Sequence, residues 1–262
     1  MSSHQQENAK AETFQEPEVG QAAGSMEVRR PPAPYERFIR EQGLPIHEVS
    51  GVLDVRDLEL APWKRLGGNA AFIVLDNAVD LLGLQVIEIP PETALNTQRH
   101  LYEENYWVVE GEGVTELSQV GSEKWQRFEW HAGSLFGIPL NTNFQLINAG
   151  TSRAVLIAGN TAPMAFNIFD NEAFVFENEF AFRERYDEEP DYFTPSLETY
   201  ATPELGRAMW GTNIIPDIVD CELPLDNQRS PGYRRIEPHM AGSKLYTFIG
   251  QHEPAPILLC FP

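Results

Sequence analysis

From Ala70 onward the chain is a succession of short apolar runs broken by turn residues. Phe72 to Leu75 is continuously apolar, and Gly83 to Ile89 alternates apolar with polar positions. That alternation is the mark of a strand with one buried face. The series continues through Tyr106 to Glu110, Val114 to Leu117, Trp125 to Trp130, Ser134 to Ile138, Phe144 to Asn148 and Ala154 to Ala158. Each run is rich in β-branched or aromatic residues and is bounded by Gly, Pro or Asn. A recurrence of about 8–12 residues predicts an all-β sandwich or barrel. No long amphipathic helix is indicated before Ala165.

The flanks read differently. Residues 1 to about 30 are rich in Gln, Glu, Ala and Ser and lack periodicity, which predicts a disordered tail. Pro31, Pro32 and Pro34 form a stiff boundary, and Tyr35 to Gln42 predicts a short helix stopped by Gly43 and Pro45. Ile46 to Val55 resembles an edge strand. Glu172 to Arg185 predicts a helix, with Phe174, Phe176, Phe180 and Phe182 in buried contacts and the carboxylates on a solvated face. A loop-rich linker follows Pro195 to Asn213, and strands are expected over Ile214 to Leu223 and Tyr233 to Ile249. The expected organisation is a tail over 1–30, a barrel with flanking elements over 31–195, and a linker with an incomplete strand segment over 196–262.

Charge narrows the partners. A formal net charge of −20 opposes nucleic acid and anionic membrane surfaces, since both need a basic face. No run of 18 apolar residues predicts a membrane span, and the first residues lack the apolar stretch of a signal peptide. The 2 cysteines, Cys221 and Cys260, do not make a disulfide framework or a zinc spacing. A soluble cytoplasmic protein is expected.

The candidate chemistry lies in Gln98 to Gly113, QRHLYEENYWVVEGEG, and Gly133 to Asn148, GSLFGIPLNTNFQLIN. Gln98, His100, Glu104 and Gly111 stand at the spacing H-x-H-x3-E-x6-G, with Gln98 in the place of the first histidine. Glu92 stands where a leading glycine is usual. Gly133, Pro139 and Asn148 keep a second spacing, G-x5-P-x-G-x2-H-x3-N, with Asn141 at the inner glycine and Phe144 at the histidine. Over about Gly83 to Asn160 the chain thus resembles the cupin superfamily. The fold implied is a cupin double-stranded β-helix, a jelly-roll barrel, with extra helical and C-terminal strand segments.

The resemblance implies a site of inward-pointing ligands for iron, manganese, nickel or zinc, because alternate residues of one strand share a face. Here His100 and Glu104 keep ligand chemistry, Gln98 offers a weak amide oxygen, and Phe144 offers nothing. Both a divalent metal and a metal-free pocket are carried forward. Gln98, Tyr102, Phe144 and Asn148 are expected around a small-molecule ligand, with Tyr106 and Trp107 as further wall candidates. Arg99 is expected to point outward, Glu103 to be an exterior charge unless a bulge exchanges it with Glu104, and His131 to lie on the surface. His239 and His252 are weak substitutes, and His4 and His47 are discounted.

Two functions fit. One is a cupin-type enzyme of metabolite biosynthesis with oxygenase-like ancestry. Its His100 and Glu104 would serve as metal ligands, or as acid and base in an isomerase, dehydratase, decarboxylase or cyclase. The other is a non-catalytic cupin that binds a ligand or partner through a vestigial site. Thr212 to Ile249 resembles the opening of a second barrel that the sequence ends too early to complete. Open strand edges, together with the resemblance, point to a homodimer.

Overall fold

The structure is a computed structural model that describes residues 31–75, 82–195, 199–202, 207–218, 233–237, 246–252 and 255–261. The tail expected over 1–30, Cys221, His4 and His239 lie outside the described residues.

Helix α1 (Pro34–Glu41) leads into strands β1 (Ile46–Val49), β2 (Ala61–Trp63), β3 (Gly68–Leu75) and β4 (Gly83–Ile89). Then come β5 (Glu104–Glu110), β6 (Glu112–Ser118), β7 (Gln126–His131), β8 (Leu135–Ile138), β9 (Asn143–Asn148) and β10 (Ala154–Asn160). Helices α2 (Ala162–Phe169) and α3 (Glu172–Phe176) precede β11 (Thr199–Thr202), β12 (Arg207–Gly211), β13 (Ile214–Ile215), β14 (Tyr233–Glu237), β15 (Tyr246–His252) and β16 (Ala255–Phe261).

One sheet runs β1-β3-β4-β10-β5-β8-β13, with β2 also on β3, and a second runs β7-β6-β9. Isolated antiparallel bridges Ala94–Ile147 and Gln98–Phe144 lay the segment before His100 along β9, extending the second sheet. From β4 to β10 the chain therefore crosses repeatedly between the two sheets, with the β6–β7 pair inside the second. This is the jelly-roll arrangement that the cupin resemblance implied, and it fits the sandwich or barrel expected from the run spacing.

Alternation sorts the side chains as the pattern predicts. Val108, Leu156, Ile87 and Phe136 face inward from the large sheet, and Leu117, Phe128, Trp130, Phe144 and Leu146 from the small one, in a single core. The opposite face of the large sheet holds Ile73, Val86 and Val155, packed against Val52, Val55, Leu58 and Leu60. Gly113 faces the Trp130 indole, where a Cβ would overlap the ring and the Ile147 carbonyl oxygen. That tight approach requires glycine.

Asn148 clamps one end of the barrel. Its amide nitrogen donates to the carbonyls of Ile89 (3.0 Å), Pro90 (3.0 Å) and Ser152 (2.8 Å), and its oxygen accepts from Gly150 N (2.9 Å). The side chain is buried. Asn148→Ala is expected to cost about 2–3 kcal/mol in urea unfolding, because it leaves several buried backbone groups without partners.

The flanks depart from expectation in four places. β1 ends at Val49 and only a short 3-10 turn, Val55–Asp57, follows. The helix expected over 172–185 stops at Phe176, and Phe174 and Phe180 are exposed while Phe176 is buried. Asn141 explains the early stop, since its amide donates to the carbonyls of Asn178 and Phe180 and holds that stretch as a loop. The linker contains β11 and β12, and among the described residues of the next predicted strand, 214–218, Ile214–Ile215 is extended, antiparallel to β8. The remaining C-terminal strands form a separate sheet, β11-β12-β14-β15-β16. Among the described residues no helix is long and apolar enough to cross a membrane.

Candidate functional site

The two motifs meet inside the barrel. Gln98 and Phe144 lie directly opposite on paired segments, with Gln98 N donating to Phe144 O at 2.8 Å and Phe144 N to Gln98 O at 2.9 Å. The positions matching the first and last histidines are therefore neighbours, as the cupin resemblance implied. The two displaced glycines also leave a trace. Glu92 has φ 49° and Asn141 φ 56°, the left-handed region that glycine enters without steric cost.

Glu104 is the centre of a closed polar network. Its Oε2 contacts His100 Nε2 at 3.0 Å and accepts from the Tyr106 hydroxyl at 2.5 Å, while Oε1 accepts from Asn160 Nδ2 at 3.0 Å. His100 Nδ1 faces the Tyr102 carbonyl at 2.9 Å. A carbonyl only accepts, so Nδ1 is the donor in this hydrogen bond. Burial, and then the Glu104 charge, push the Tyr106 and Tyr102 phenols well above their usual range. The same two causes raise Tyr35, which reaches this end of the barrel from α1. All three phenols therefore stay neutral near pH 7.

The network is sealed by aromatic rings. The Tyr102 ring stacks on His100 at 3.7 Å between centroids, and Phe144 meets His100 edge-on at 5.5 Å. Tyr106 packs on Phe136 at 5.4 Å. Relative exposures are 4% for His100, 3% for Glu104, 2% for Tyr106 and 1% for Phe144. Inward-pointing residues thus fill the barrel as core.

The donor set does not fit the metal that the resemblance implies. Among the described residues no group of three or more His, Cys, Asp or Glu is arranged to hold an ion. Both Glu104 oxygens already have partners. The Gln98 amide, expected as a weak ligand, donates instead to the carbonyls of Arg65 and Asn96, each at 3.1 Å. Phe144 fills the fourth place with a hydrocarbon ring.

Of the remaining candidates, Tyr102 shares the inward side with His100, while Asn148 lies at the clamp, away from the network. Glu103 points out and pairs with Arg185 at 2.9 Å, so no bulge exchanges it with Glu104. Arg99 was expected to point outward; its guanidinium contacts Asn143 at 3.5 Å and its Nε is buried. Trp107 alternates to the outer face, opposite Leu135 and Ile157. His131 is exposed and His47 contacts Glu59 O. The side chain of His252 lies outside the described residues.

Sequence reasoning missed Asn160, Tyr35 and Arg65. Asn160 had a faint signal, as a polar residue closing the apolar run of β10 opposite Glu104. Tyr35 and Arg65 reach the site through packing of separate segments, and periodicity carries no information about that.

No family model matches the chain, and no curated protein does. Solved structures do. A capsular polysaccharide assembling protein, CapF, from Staphylococcus aureus matches at 20% identity and TM-score 0.35, over 40% of this chain and 30% of that one. An oxalate decarboxylase formate complex from Lactobacillus farciminis matches at 19% identity and TM-score 0.35, over 41% and 32%. The cupin domain of CENP-C from Drosophila melanogaster matches at 20% identity and TM-score 0.35, over 42% and 75%. The chain thus spans under a third of the CapF and decarboxylase structures. At these identities the likeness is one of fold.

Proposed function

We propose that this cupin-fold chain is a non-catalytic binding module whose former reaction centre has become a polar layer of its core. The observation that carries this reading is the closure of Glu104. Three donors occupy its two oxygens in an interior shut by Tyr102 and Phe144. A reacting substrate would have to displace those donors and open a packed aromatic shell, and both steps oppose turnover. A small-molecule ligand at the barrel mouth and a homodimer, through the open strand edges, complete the proposal.

The test is metal analysis of protein purified without added metal, followed by thermal unfolding with each ion. The expected result is under about a tenth of an equivalent of iron, manganese, nickel and zinc, with no rise in midpoint on reconstitution, since a bound ion stabilises by mass action. One tightly held equivalent would overturn the reading.

A metal-independent acid–base enzyme is the second reading. The observation favouring it is the 3.0 Å contact between His100 Nε2 and Glu104 Oε2, a pairing that acid–base catalysis in an isomerase, dehydratase, decarboxylase or cyclase could use. It requires the aromatic shell to open. Hydrogen exchange of the Tyr102 and Phe144 amides at the rate of global unfolding would count against it.

A further inference from the structure

Phe174, expected in a buried contact, is 43% exposed, and it does not stand alone. Ile168 is 70% exposed, Phe169 46% and Met164 39%. Met164 and Ile168 are four residues apart on α2, so they share one face of that helix. The Phe169 and Phe174 rings meet at 4.7 Å between centroids. The turn that presents them is fixed. Asp170 ends α2 at φ 44°, and Asn171 caps α3 by accepting from Phe174 N at 2.8 Å. Together the four side chains expose on the order of 400 Å² of apolar surface, the size at which a contiguous patch marks an interaction site.

A cleft of about 130 Å³ opens beside this face, between α1 and the α2–α3 turn, lined by Arg37, Phe38, Glu41, Phe166, Asp170 and Glu172 among others. Asn167 Oδ1 accepts from Tyr35 N at 3.1 Å and ties the two helices together. Asp170 and Glu172 border both features, since they stand between Phe169 and Phe174 in the chain. Arg37, the arginine in the lining, is already matched to Asp170 at 2.6 Å. Arg40, the exposed neighbour of Glu41, lies outside the lining. Glu41 and Glu172 have no ion pair among the described residues, so the cleft keeps a negative excess.

Size and charge decide what fits. A pocket for a drug-sized ligand needs about 300 Å³ or more, and this cleft has room only for the end of one long side chain. A second copy of the chain would bring the same carboxylates to the contact, which opposes association. A stable dimer also needs about 800 Å² from each subunit, roughly twice what the face offers. A segment that carries apolar groups and the opposite charge meets both conditions. The geometry points to the α2–α3 face as a docking surface for a short peptide segment of another protein, in which apolar residues adjoin lysine or arginine. The apolar side chains cover Ile168, Phe169 and Phe174, and one basic side chain enters the cleft toward Glu41 and Glu172. The surface lies outside the barrel interior, so it goes beyond the reading of the core and does not depend on it.

Selection of a phage-displayed library of random peptides on the full chain tests this, followed by anisotropy titration of the most enriched peptide with a fluorescein label. Enriched sequences are expected to combine aromatic or aliphatic residues with lysine or arginine. Phe169→Ser with Phe174→Ser should weaken the peptide about tenfold, as loss of an apolar anchor does. Glu41→Gln with Glu172→Gln should weaken it about threefold, and high salt should erase that second difference. Ile168→Ser, at the most exposed of these positions, repeats the first comparison if the double variant does not fold. No enrichment, enriched sequences without basic residues, or equal affinity for wild type and the folded variants would each overturn the inference. Sedimentation and vesicle flotation decide the other occupants. A dimer that Ile168→Ser dissociates assigns the face to a second copy, and binding to phosphatidylcholine vesicles that Ile168→Ser abolishes assigns it to a membrane. Either result overturns the inference. Metal uptake by the wild type would overturn the core reading and leave these outcomes untouched.

Discussion

Replacing Glu104 with alanine is expected to lower the thermal midpoint by roughly 10 °C, although the residue is read here as neither ligand nor catalyst. The substitution strands His100 Nε2, the Tyr106 hydroxyl and Asn160 Nδ2 in an interior that water does not reach. Breaking a buried charged network by removing one member costs about 3–5 kcal/mol, most of it the desolvation of the groups left behind. Tyr106→Phe removes a single donor and leaves Glu104 two partners, so its cost should stay near 1 kcal/mol. Urea unfolding of both variants checks the ratio. Comparable losses in the two would mean that Glu104 is not the hub, and the structural account of the network would fail.

Placing histidine at both Gln98 and Phe144 is expected to turn the closed core into a metal site. The two positions exchange backbone hydrogen bonds across a bridge, and Phe144 already stands 5.5 Å from His100. Two new imidazoles would join His100 and Glu104 in the four-donor set that zinc or manganese accepts. Dialysed double variant should retain about one equivalent of zinc, and its midpoint should rise when zinc is added. Phe144→His alone should retain much less, because Gln98 would still be turned toward Arg65 O. A folded double variant that takes up no zinc would show that the register of the two motifs is misassigned.

How much of this was legible depended on the kind of signal. Strand positions from Phe72 to Ala158 follow from period-two alternation and turn residues, which are local, and the barrel reproduces them to within a few residues. His100 and Glu104 could be placed in the interior because the cupin resemblance implies inward-pointing residues at those positions. What Glu104 contacts could not be read, because Asn160 comes from a strand 56 residues away and its approach depends on pairing. The helix over 172–185 was overpredicted for a related reason. Its aromatic spacing allows a helix, but Asn141, on a distant loop, claims the carbonyls of Asn178 and Phe180. Arg65 was passed over because it meets Phe176 by packing between segments far apart in the chain, and such packing has no pattern in the sequence.

Glu92 and Asn141 carry one more implication. A comparison of letters scores both as mismatches, since glycine is the residue usual at each place. Both nevertheless hold the torsion for which that glycine is used. Each turn therefore holds a residue with a Cβ in a torsion that glycine enters freely, at a cost of roughly 1 kcal/mol that a glycine there would not incur.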